Sequence, residues 1–451
     1  MRFSKDHGRD RPIEIIGGGL AGTEAAYQIA MREVPVVLWE MRPVQPTPAH
    51  KTNRLGELVC SNSFRSDAKN NPHHILKQEL RGLNSLILRT ADECKVGAGQ
   101  ALAVDRNRFS EIVTQRIEGN SLIDIRRKEI ESIPKDRVVI VATGPLTSDR
   151  LADHLQELFQ EQPLYFFDAI SPIVDADTID REHVFSANRY GSGEGDYLNC
   201  PLTEKEYELF WQELLNGEMM EPHDFEQIPY FEGCLPVEVL GSRGKETLRF
   251  GPMKPVGLVD PKTNNRPHAV VQLRKENPEG SYYNLVGFQT KLRYPEQKRI
   301  FQLIPALRNA EFARYGSLHR NTYINAPTLL QETLQYKKDP NLFFAGQITG
   351  VEGYVESVAT GIIAALNSLE VHQKGPDAVP MFPPTTTAIG ALLGYLTQPA
   401  KGTFQPTNIH FGLFPPLETK IKNRDVRKGM ISARADHDFR KWLSNRSHVA
   451  A

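Results

Sequence analysis

Cysteine is scarce in this chain of 451 residues: four are present, at positions 60, 94, 200 and 234. They form no CxxC pair and no other short metal-ligand spacing, which argues against a disulfide scaffold and a structural zinc site and favours a reducing compartment. Long hydrophobic runs are also missing, since no stretch approaches about 18 apolar residues and the first residues lack the apolar segment of a signal peptide. We therefore expect a cytoplasmic protein that does not enter the membrane.

An excess of charge of one sign is lacking as well. Lys and Arg number 54 against 55 Asp and Glu, a formal net charge of −1, so a histone-like basic binder is excluded and any nucleic-acid contact must use a local patch. Disorder is excluded by 40% hydrophobic and 24% charged residues. From Glu418 to Ala451, nine Lys and Arg face four Asp and Glu. This basic segment is either a solvated helix face or a patch for a phosphate backbone.

The first ordered pattern lies close to the N-terminus. Ile13–Ile16 is typical of a buried strand and runs directly into the turn Gly17–Gly22. The spacing of apolar residues predicts a helix over Thr23–Arg32, and a second strand, Val36–Trp39, ends at Glu40. Strand, glycine turn, helix, strand and acid in this order indicate a dinucleotide-binding site.

Each element of this motif has a physical role. Gly17 permits the tight turn, Gly19 lets the backbone approach a pyrophosphate, and Gly22 lets the helix pack closely on the strand. The helix N-terminus offers unpaired N–H groups and a partial positive charge. Glu40, 23 positions after Gly17, can accept hydrogen bonds from both ribose hydroxyls.

Two later segments continue the same kind of fold. A helix is predicted over Arg106–Ile117, and the strand Val138–Ala142 follows it. The strand Leu342–Ala345 then runs into Gly346 and a glycine-bearing loop, and small residues continue in a helix from Val355 to Ala365. This last unit either delivers a second helix N-terminus to a ligand or is a crossover that only packs on the sheet.

Composition changes between these segments. Proline, glycine and aromatic residues become frequent, and the strands Ala269–Leu273 and Leu285–Phe288 replace the alternation of strands and helices. We therefore predict a Rossmann-type α/β domain with an inserted α+β domain. The predicted limits are 1–165 and 316–375 for the two parts of the first domain, 166–315 for the insertion, and 376–451 for a partly helical C-terminal segment that packs on the first domain.

The candidate reactive groups are thiols. Cys60 follows the second strand, at the edge of the sheet where ligands bind in this class of fold, and Cys234 lies in a Gly-Cys-x-Pro turn that would present its thiol. For each of them a small hydrophobic role in the core is the alternative, and for Cys94 and Cys200 it is the favoured interpretation.

Two further clusters have open interpretations. The segment His319–Tyr323 could bind an anionic or heteroaromatic ligand or could be ordinary turn chemistry. The loop Gly251–Leu258 carries Lys254, which could hold a carboxylate or phosphate, although a rigid turn explains the loop equally well.

Taken together, these segments resemble the TrmFO family of folate- and flavin-dependent tRNA (uracil-5-)-methyltransferases. The resemblance spans most of residues 13–366 and is weaker beyond about 400. The segments that carry it most specifically surround Cys60 and cover 251–261. The others are Gly17–Gly22, Glu40–Pro43, Thr47–His50, Ala103–Arg106, Ala142–Ser148, Asp196–Pro201, Val286–Thr290, Tyr294–Arg299, His319–Tyr323 and Ala345–Gly361.

The resemblance implies a glutathione-reductase-like FAD-binding fold and a reaction. The family binds FAD, takes a one-carbon unit from 5,10-methylenetetrahydrofolate, uses NAD(P)H as reductant, and makes 5-methyluridine at position 54 in the T-loop of tRNA. It implies no obligate protein partner. The cofactor-binding residues that it implies are Gly17, Gly18, Gly19, Leu20, Ala21, Gly22, Glu40, Gly346 and Tyr354, of which Tyr354 falls near the flavin ring.

The resemblance also assigns the two functional thiols to Cys60 and Cys234. Carbon 5 of uracil is a poor nucleophile until a thiolate adds to carbon 6. We expect Cys234 to be that nucleophile and Cys60 to assist removal of the proton at carbon 5 or to protect the flavin, although the two roles could be exchanged. The target uridine must swing out of the T-loop, so a basic approach surface is expected on the insertion or the C-terminal segment.

Three alternatives remain at this point. Ala345-Gly346-Gln347 replaces the Gly-Asp found in many flavoproteins of this fold and is shared with the GidA group, which modifies a wobble uridine; that group has a longer chain and a different context for the first cysteine. A flavin-containing tRNA chaperone without turnover would not need the thiols. A general NAD(P)H-dependent flavin oxidoreductase would need neither the thiols nor RNA.

Overall fold

A computed structural model describes residues 11–47, 49–160, 164–169, 171–189, 195–220, 235–399 and 404–445. For the strand residues 164–169 and 318–320 the backbone alone is described. Cys234 therefore lies outside the described residues, as do the side chains of His319 and Arg320. Within the described ranges, none of the helices combines the length and apolar character that crossing a bilayer requires.

Helices and strands are interspersed in the first third of the chain. The helices are α1 (Leu20–Ala30), α2 (Pro72–Gly82), α3 (Leu86–Glu93), α4 (Arg106–Glu118), α5 (Asp149–Phe159), α6 (Glu204–Asn216), α7 (Val237–Ser242), α8 (Thr247–Phe250), α9 (Tyr294–Phe301), α10 (Ala326–Leu329), α11 (Tyr354–Lys374), α12 (Ala388–Thr397) and α13 (Arg424–Ser444). The strands are β1 (Ile13–Ile16), β2 (Val36–Glu40), β3 (Ser63–Ser66), β4 (Lys95–Val96), β5 (Ala101–Val104), β6 (Ile123–Arg127), β7 (Val139–Val141), β8 (Leu164–Ala169), β9 (Ile173–Asp175), β10 (Phe185–Ser186), β11 (Tyr197–Leu202), β12 (Ala269–Lys275), β13 (Tyr282–Leu285), β14 (Phe312–Arg314), β15 (Leu318–Tyr323), β16 (Gln335–Tyr336) and β17 (Asp339–Phe344).

The first sheet has the strand order β16-β17-β7-β1-β2-β6, and its strands run parallel except for β16. Its central strands β1 and β7 are buried along their whole length, and Glu14 is the one charged residue in them, as expected for a parallel sheet covered on both faces. The two strands that flank β1 come from residues 36–40 and 139–141, as the sequence pattern predicts. Helix α1 begins at Leu20, earlier than predicted, and Met31 and Arg32 fall in the turn that follows it.

The second sheet, β10-β11-β12-β13-β9-β14, is antiparallel. One face packs on a hydrophobic cluster of its own, which spans Val174 to Ala310 and is separate from the cluster around the parallel sheet. The domain limits drawn from the sequence stay a prediction. The prediction of a strand over Leu285–Phe288 was wrong, because β13 ends at Leu285. The chain turns away at Gly287, whose φ is +79° and where a Cβ would lie 2.7 Å from Pro252 Cβ.

The C-terminal segment packs on the parallel-sheet domain. Ile389, Ile431 and Phe439 belong to the same buried cluster as β1 and α1. The buried carboxylate of Glu79 on α2 accepts hydrogen bonds from the N–H groups of Ala388 and Ile389, at 2.7 and 2.8 Å, and so caps α12.

Candidate active site

The glycine turn after β1 is shaped by close contacts on two sides and by open space on the third. Gly17 has φ +110°, and a Cβ there would lie 2.5 Å from the Ala142 carbonyl oxygen; at Gly22 it would lie 1.8 Å from the Gly17 oxygen. At Gly19 a Cβ would meet nothing within 4 Å. Gly19 is the N-cap of α1 without a side-chain cap, so the first N–H groups of the helix face this open space. The turn is therefore built for packing at Gly17 and Gly22 and for ligand approach at Gly19.

Glu40 holds this turn in place. Its Oε2 accepts from the Gly18 N–H at 3.0 Å, and its Oε1 accepts from the backbone N–H and Nε of Arg42 at 2.9 and 2.8 Å. Burial raises the pKa of Glu40, but the hydrogen bonds and charge of Arg42 and the Gly18 N–H outweigh it and hold the pKa below its usual range. The carboxylate is thus ionised at the turn and keeps acceptor capacity, since two oxygens offer about four lone-pair sites.

A second glycine loop approaches the first one. Gly346, with φ +80°, follows β17, and a Cβ there would lie 2.9 Å from Ala21 Cβ. One helical face of α11 meets α1 directly, because a Cβ at Gly361 would lie 2.5 Å from the Ala21 carbonyl oxygen. The Gly346 N–H is bound by Thr360 Oγ1 at 2.8 Å. The close helix packing supports the interpretation of this unit as a packing crossover. The loop at Gly346 also lines a cleft, which supports its interpretation as a ligand-binding unit.

That cleft lies at the carboxyl ends of β1, β2 and β7 and opens to solvent, with about 1000 Å³ of empty space when the solvent at its mouth is included. This is the edge at which open α/β sheets bind their ligands. Its walls include Gly17, Gly18, Gly19, Leu20, Ala21, Glu40, Arg42, His50, Thr143, Gly346 and Tyr354. Gly22 is absent from these walls, in keeping with its packing role. No group of three or more His, Cys, Asp and Glu side chains suited to a metal ion occurs in the described ranges.

The loop that carries Cys60 is fixed by Tyr354, which opens α11. The Tyr354 hydroxyl accepts from the N–H groups of Cys60 and Ser61, both at 3.0 Å, and donates to the Ser61 carbonyl at 2.9 Å. Its ring packs on Phe64 with 5.6 Å between centroids. Burial, and then the proximity of Cys60, raise the pKa of Tyr354, so it stays a neutral phenol. The half-buried Cys60 is thereby held beside the cleft.

Two arginines surround the Cys60 loop. Arg106 donates to the Leu58 carbonyl at 3.0 Å and forms an ion pair with Glu276, Nη2 to Oε2 at 2.9 Å. Burial lowers the pKa of Arg314, and the charge of Arg106 lowers it further, whereas Cys60 raises it. Cationic side chains beside a thiol favour its thiolate form.

The other described cysteines lie apart from this chemistry. Cys94 and Cys200 are buried, and burial raises the pKa of both thiols. They are hydrophobic core residues, as the sequence favoured. The expected partner thiol, Cys234, remains a prediction.

Sequence reasoning missed several residues of this site. His50 lines the cleft, with its Nδ1 2.6 Å from Thr47 Oγ1, and burial followed by the charge of Arg42 lowers its pKa to about 4. Glu57 accepts from the Thr52 hydroxyl at 2.7 Å and from Arg42 at 3.2 Å. The signals in the sequence were that these residues follow the end of the second strand and that Thr47–His50 is one of the segments that carry the family resemblance.

The loop 251–258 and the segment 319–323 give weaker evidence of a ligand site. In the loop after α8, Met253 is buried and Lys254 is half-buried, so a packing role accounts for the loop and a ligand for Lys254 stays a prediction. The segment around His319 forms β15, in which Tyr323 is buried and donates to the Phe404 carbonyl at 3.2 Å.

A family model described as "Glucose inhibited division protein A" matches residues 12–375. A "Methylenetetrahydrofolate--tRNA-(uracil-5-)-methyltransferase TrmFO" of Geobacter sulfurreducens is 55% identical over 433 residues, 96% of this chain and 99% of the relative. Its counterpart in Sulfurihydrogenibium sp. is 53% identical over 430 residues, 95% of this chain and 97% of the relative. The chain belongs to the TrmFO family.

The resemblance to the TrmFO family that the motifs indicate is thus confirmed for this chain. The predicted Rossmann-type α/β fold class is confirmed as well. The solved structure of Aquifex aeolicus GidA in its form II crystal covers 96% of this chain and 73% of its own, with a TM-score of 0.67 and 18% identity. At that identity the likeness concerns the fold alone. Identities above 50% over nearly the whole chain favour the TrmFO group over the GidA group as the nearer relative.

Proposed function

We propose that this chain is a folate- and FAD-dependent tRNA (uracil-5-)-methyltransferase of the cytoplasm. It would transfer a one-carbon unit from 5,10-methylenetetrahydrofolate to carbon 5 of a uridine in tRNA, with NAD(P)H as reductant. The observation that carries the proposal is the presentation of Cys60 beside a dinucleotide-type cleft, in a chain 55% identical to a relative that bears this enzyme's name. Methylation at position 54 of the T-loop is the finer part of the proposal.

The residues of the cleft fit FAD. Open space at Gly19 and the uncapped N-terminus of α1 suit a pyrophosphate, and Glu40 keeps acceptor capacity for ribose hydroxyls. Gly17, Gly18, Leu20, Ala21 and Gly346 would contribute backbone to the same walls. When bound, FAD would supply the reducing electrons that convert a one-carbon unit into a methyl group. We propose residues 1–165 and 316–375 as the FAD-binding domain, 166–315 as the insertion and 376–451 as a segment attached to the former.

The thiols would act on the uracil. We propose that the Cys234 thiolate adds to carbon 6, which makes carbon 5 nucleophilic. Cys60, held by Tyr354 and flanked by Arg106 and Arg314, would as a thiolate take the proton that leaves carbon 5 after the one-carbon unit is attached. Loss of that proton restores the double bond when the Cys234 sulfur leaves carbon 6.

A basic surface supports tRNA as the partner. On α13, Arg424, Arg427, Arg440 and Lys441 are exposed, and of these Arg440 pairs with Asp436 at 2.9 Å. The exposed charge on this helix is therefore positive overall, as contact with RNA phosphates requires. We propose that α13 contributes to the approach surface for the T-loop.

The test is label transfer from carbon-labelled methylenetetrahydrofolate to a T-loop tRNA that lacks the modification, with FAD and NAD(P)H. We expect label in 5-methyluridine, lost in Cys234→Ala and Cys60→Ala and retained in Cys94→Ala, the matched thiol outside the site. Absence of label in flavin-loaded protein that binds tRNA would overturn the proposal in favour of a wobble-uridine enzyme or a non-catalytic tRNA chaperone. Absence of salt-dependent tRNA binding would favour a general flavin oxidoreductase.

A further inference from the structure

The antiparallel sheet has one apolar face and one polar face. Along β12, Ala269, Val271 and Leu273 point into the hydrophobic cluster of the insertion. Side chains alternate between the two faces along a strand. Arg274, on β12, and Glu276, just after the end of β12, therefore lie on the opposite face. Both are buried, at 7% and 8% exposure. When a polar face is buried away from water, its polar atoms need hydrogen-bond partners.

The strand register aligns this polar face in a row. Arg274 is paired with Tyr197 on one side and with Asn284 on the other, and Asn284 is paired in turn with Ile173, which is opposite Arg314. Directly paired residues share a face of the sheet. The row thus brings Arg274 and Asn284 onto the face that carries Glu276. The register shifts between Phe312 and Arg314, and Arg314 is placed near this face by its electrostatic interactions with Arg106 and Glu276.

This face is joined to the Cys60 loop by direct contacts. Arg274 Nη2 donates to Ser61 Oγ at 3.3 Å, and Asn62 Nδ2 donates to the Lys275 carbonyl at 3.1 Å. Arg106 bridges the two parts, with one contact to Glu276 Oε2 and another to the Leu58 carbonyl. The polar face therefore lies against the proposed reaction centre.

Three polar atoms on this face have no hydrogen-bond partner among the described residues: Arg274 Nε, Asn284 Nδ2 and Glu276 Oε1. Asn284 is only 3% exposed. Gln272, on the same strand and face, is different, because its Nε2 donates to Asn199 Oδ1 at 2.9 Å and its Oε1 accepts from Arg189 Nε at 2.8 Å. Unpaired polar atoms at such burial are costly and rare in native proteins, so three of them on one face call for a functional explanation.

Two donors beside a carboxylate acceptor match one chemical pattern, a ring N–H next to ring carbonyls. Uracil has this pattern at N3–H with its C2 and C4 carbonyls, and a reduced pterin has it at N3–H beside its C4 carbonyl. We propose that Arg274, Asn284 and Glu276 form a subsite that binds the lactam edge of a substrate heterocycle next to Cys60. This inference rests on the proposed function, which supplies both kinds of ring.

Within the subsite, the two donors and the acceptor bind different atoms of the ring. Glu276 Oε1 accepts from the ring N3–H. With uracil, Arg274 Nε and Asn284 Nδ2 donate to the two flanking carbonyls; with a reduced pterin only one of them donates, to the C4 carbonyl, because C2 carries an amino group. Glu276 Oε2 stays engaged with Arg106, which fixes the orientation of the carboxylate. The ring face is thereby aligned beside the Cys60 loop.

The test measures binding without turnover, with the FAD-loaded full chain and no NAD(P)H. One arm compares a T-loop RNA hairpin carrying uridine with the same hairpin carrying 3-methyluridine, which lacks N3–H. The other arm measures the Kd of tetrahydrofolate. The variants are Glu276→Gln and Asn284→Ala, and Gln272→Ala is the matched control from the same strand and face. Flavin content checks that each variant is folded.

If uracil is the ring, the preference for uridine over 3-methyluridine falls by about tenfold or more in Glu276→Gln, while tetrahydrofolate binding is unchanged. If the pterin is the ring, the Kd of tetrahydrofolate rises by about tenfold or more and the uridine preference is unchanged. Asn284→Ala weakens the same ligand, and Gln272→Ala binds both as the unsubstituted chain does.

Unchanged binding of both ligands in Glu276→Gln and Asn284→Ala, with normal methyl transfer, would overturn the subsite alone. Failure of the unsubstituted chain to bind either the hairpin or tetrahydrofolate would overturn the proposed function and the subsite with it.

Discussion

The hydroxyl of Tyr354 offers the sharpest test of how the site is held together. It makes three hydrogen bonds to the backbone of Cys60 and Ser61, at 3.0, 3.0 and 2.9 Å. Tyr354→Phe removes all three and keeps the ring that packs on Phe64. Two buried N–H groups and one carbonyl would then lack partners, at about 1–3 kcal/mol each if nothing replaces the hydroxyl. Because the loop can move or admit water, we expect a net cost of about 2–4 kcal/mol to its native position.

This cost should appear in two assays. Displacement of a reacting group by about 1 Å costs about a hundredfold in rate, so we expect single-turnover methyl transfer to fall by about that factor. In a Cys234→Ala background, alkylation of Cys60 by iodoacetamide should accelerate, because the loop opens more often. FAD content should be unchanged, since the glycine turn at residues 17–22 is untouched.

Tyr395→Phe is the matched control. Its hydroxyl makes one hydrogen bond, to the Gln405 carbonyl at 2.7 Å, on a different part of the molecule. We expect it to leave methyl transfer and alkylation unchanged. If Tyr354→Phe behaves like this control in both assays, the three hydrogen bonds do not position Cys60 and the reasoning fails.

Three further predictions concern the cofactor turn and the buried ionisable groups. Gly19→Ala should weaken FAD binding by about tenfold or more without changing the stability of the FAD-free protein, whereas Gly22→Ala, with its Cβ 1.8 Å from the Gly17 oxygen, should destabilise that protein as well. Thermal unfolding and FAD titration separate the two effects, and normal FAD affinity in Gly19→Ala would contradict the proposed approach of the pyrophosphate at Gly19. Glu79→Gln should lower the free energy of unfolding by about 1–3 kcal/mol, because the two N–H groups bind different oxygens of Glu79 and the substitution replaces one of these oxygens with an NH2 group; an unchanged melting temperature would refute this. Burial, and then nearby cationic side chains, lower the pKa of His73 from 6.5 to about 3, so the unfolded chain binds a proton that the folded chain does not, and stability falls as the pH falls through this window. His73 should contribute about 2 kcal/mol to the loss between pH 7 and pH 5 in urea unfolding, beside the contribution of His50, whose pKa is lowered to about 4. His73→Phe should therefore lose about 2 kcal/mol less than the unsubstituted chain over this range; an equal loss in that variant would assign it to other groups.

Much of the site could be predicted from local sequence. The turn at Gly17–Gly22, its strand and its helix lie within consecutive residues, and the periodicity of apolar side chains reveals such units directly. The strand expected to reach Phe288 shows the limit of this reasoning. It ends at Leu285, and the chain turns at Gly287, whose φ is +79° and which lies close to Pro252, a neighbour that no local pattern reveals.

By itself, the sequence determined the fold class, the glycine turn after the first strand and the identity of Cys60 as a candidate, because these depend on residue type and short spacing. Only the tertiary structure decided what surrounds Cys60. Tyr354 reaches it across 294 positions, and Arg106 meets Glu276 across 170. The polar row on the antiparallel sheet likewise depends on strand register. Contacts of this kind follow from how strands pair and helices pack, so no local spacing encodes them.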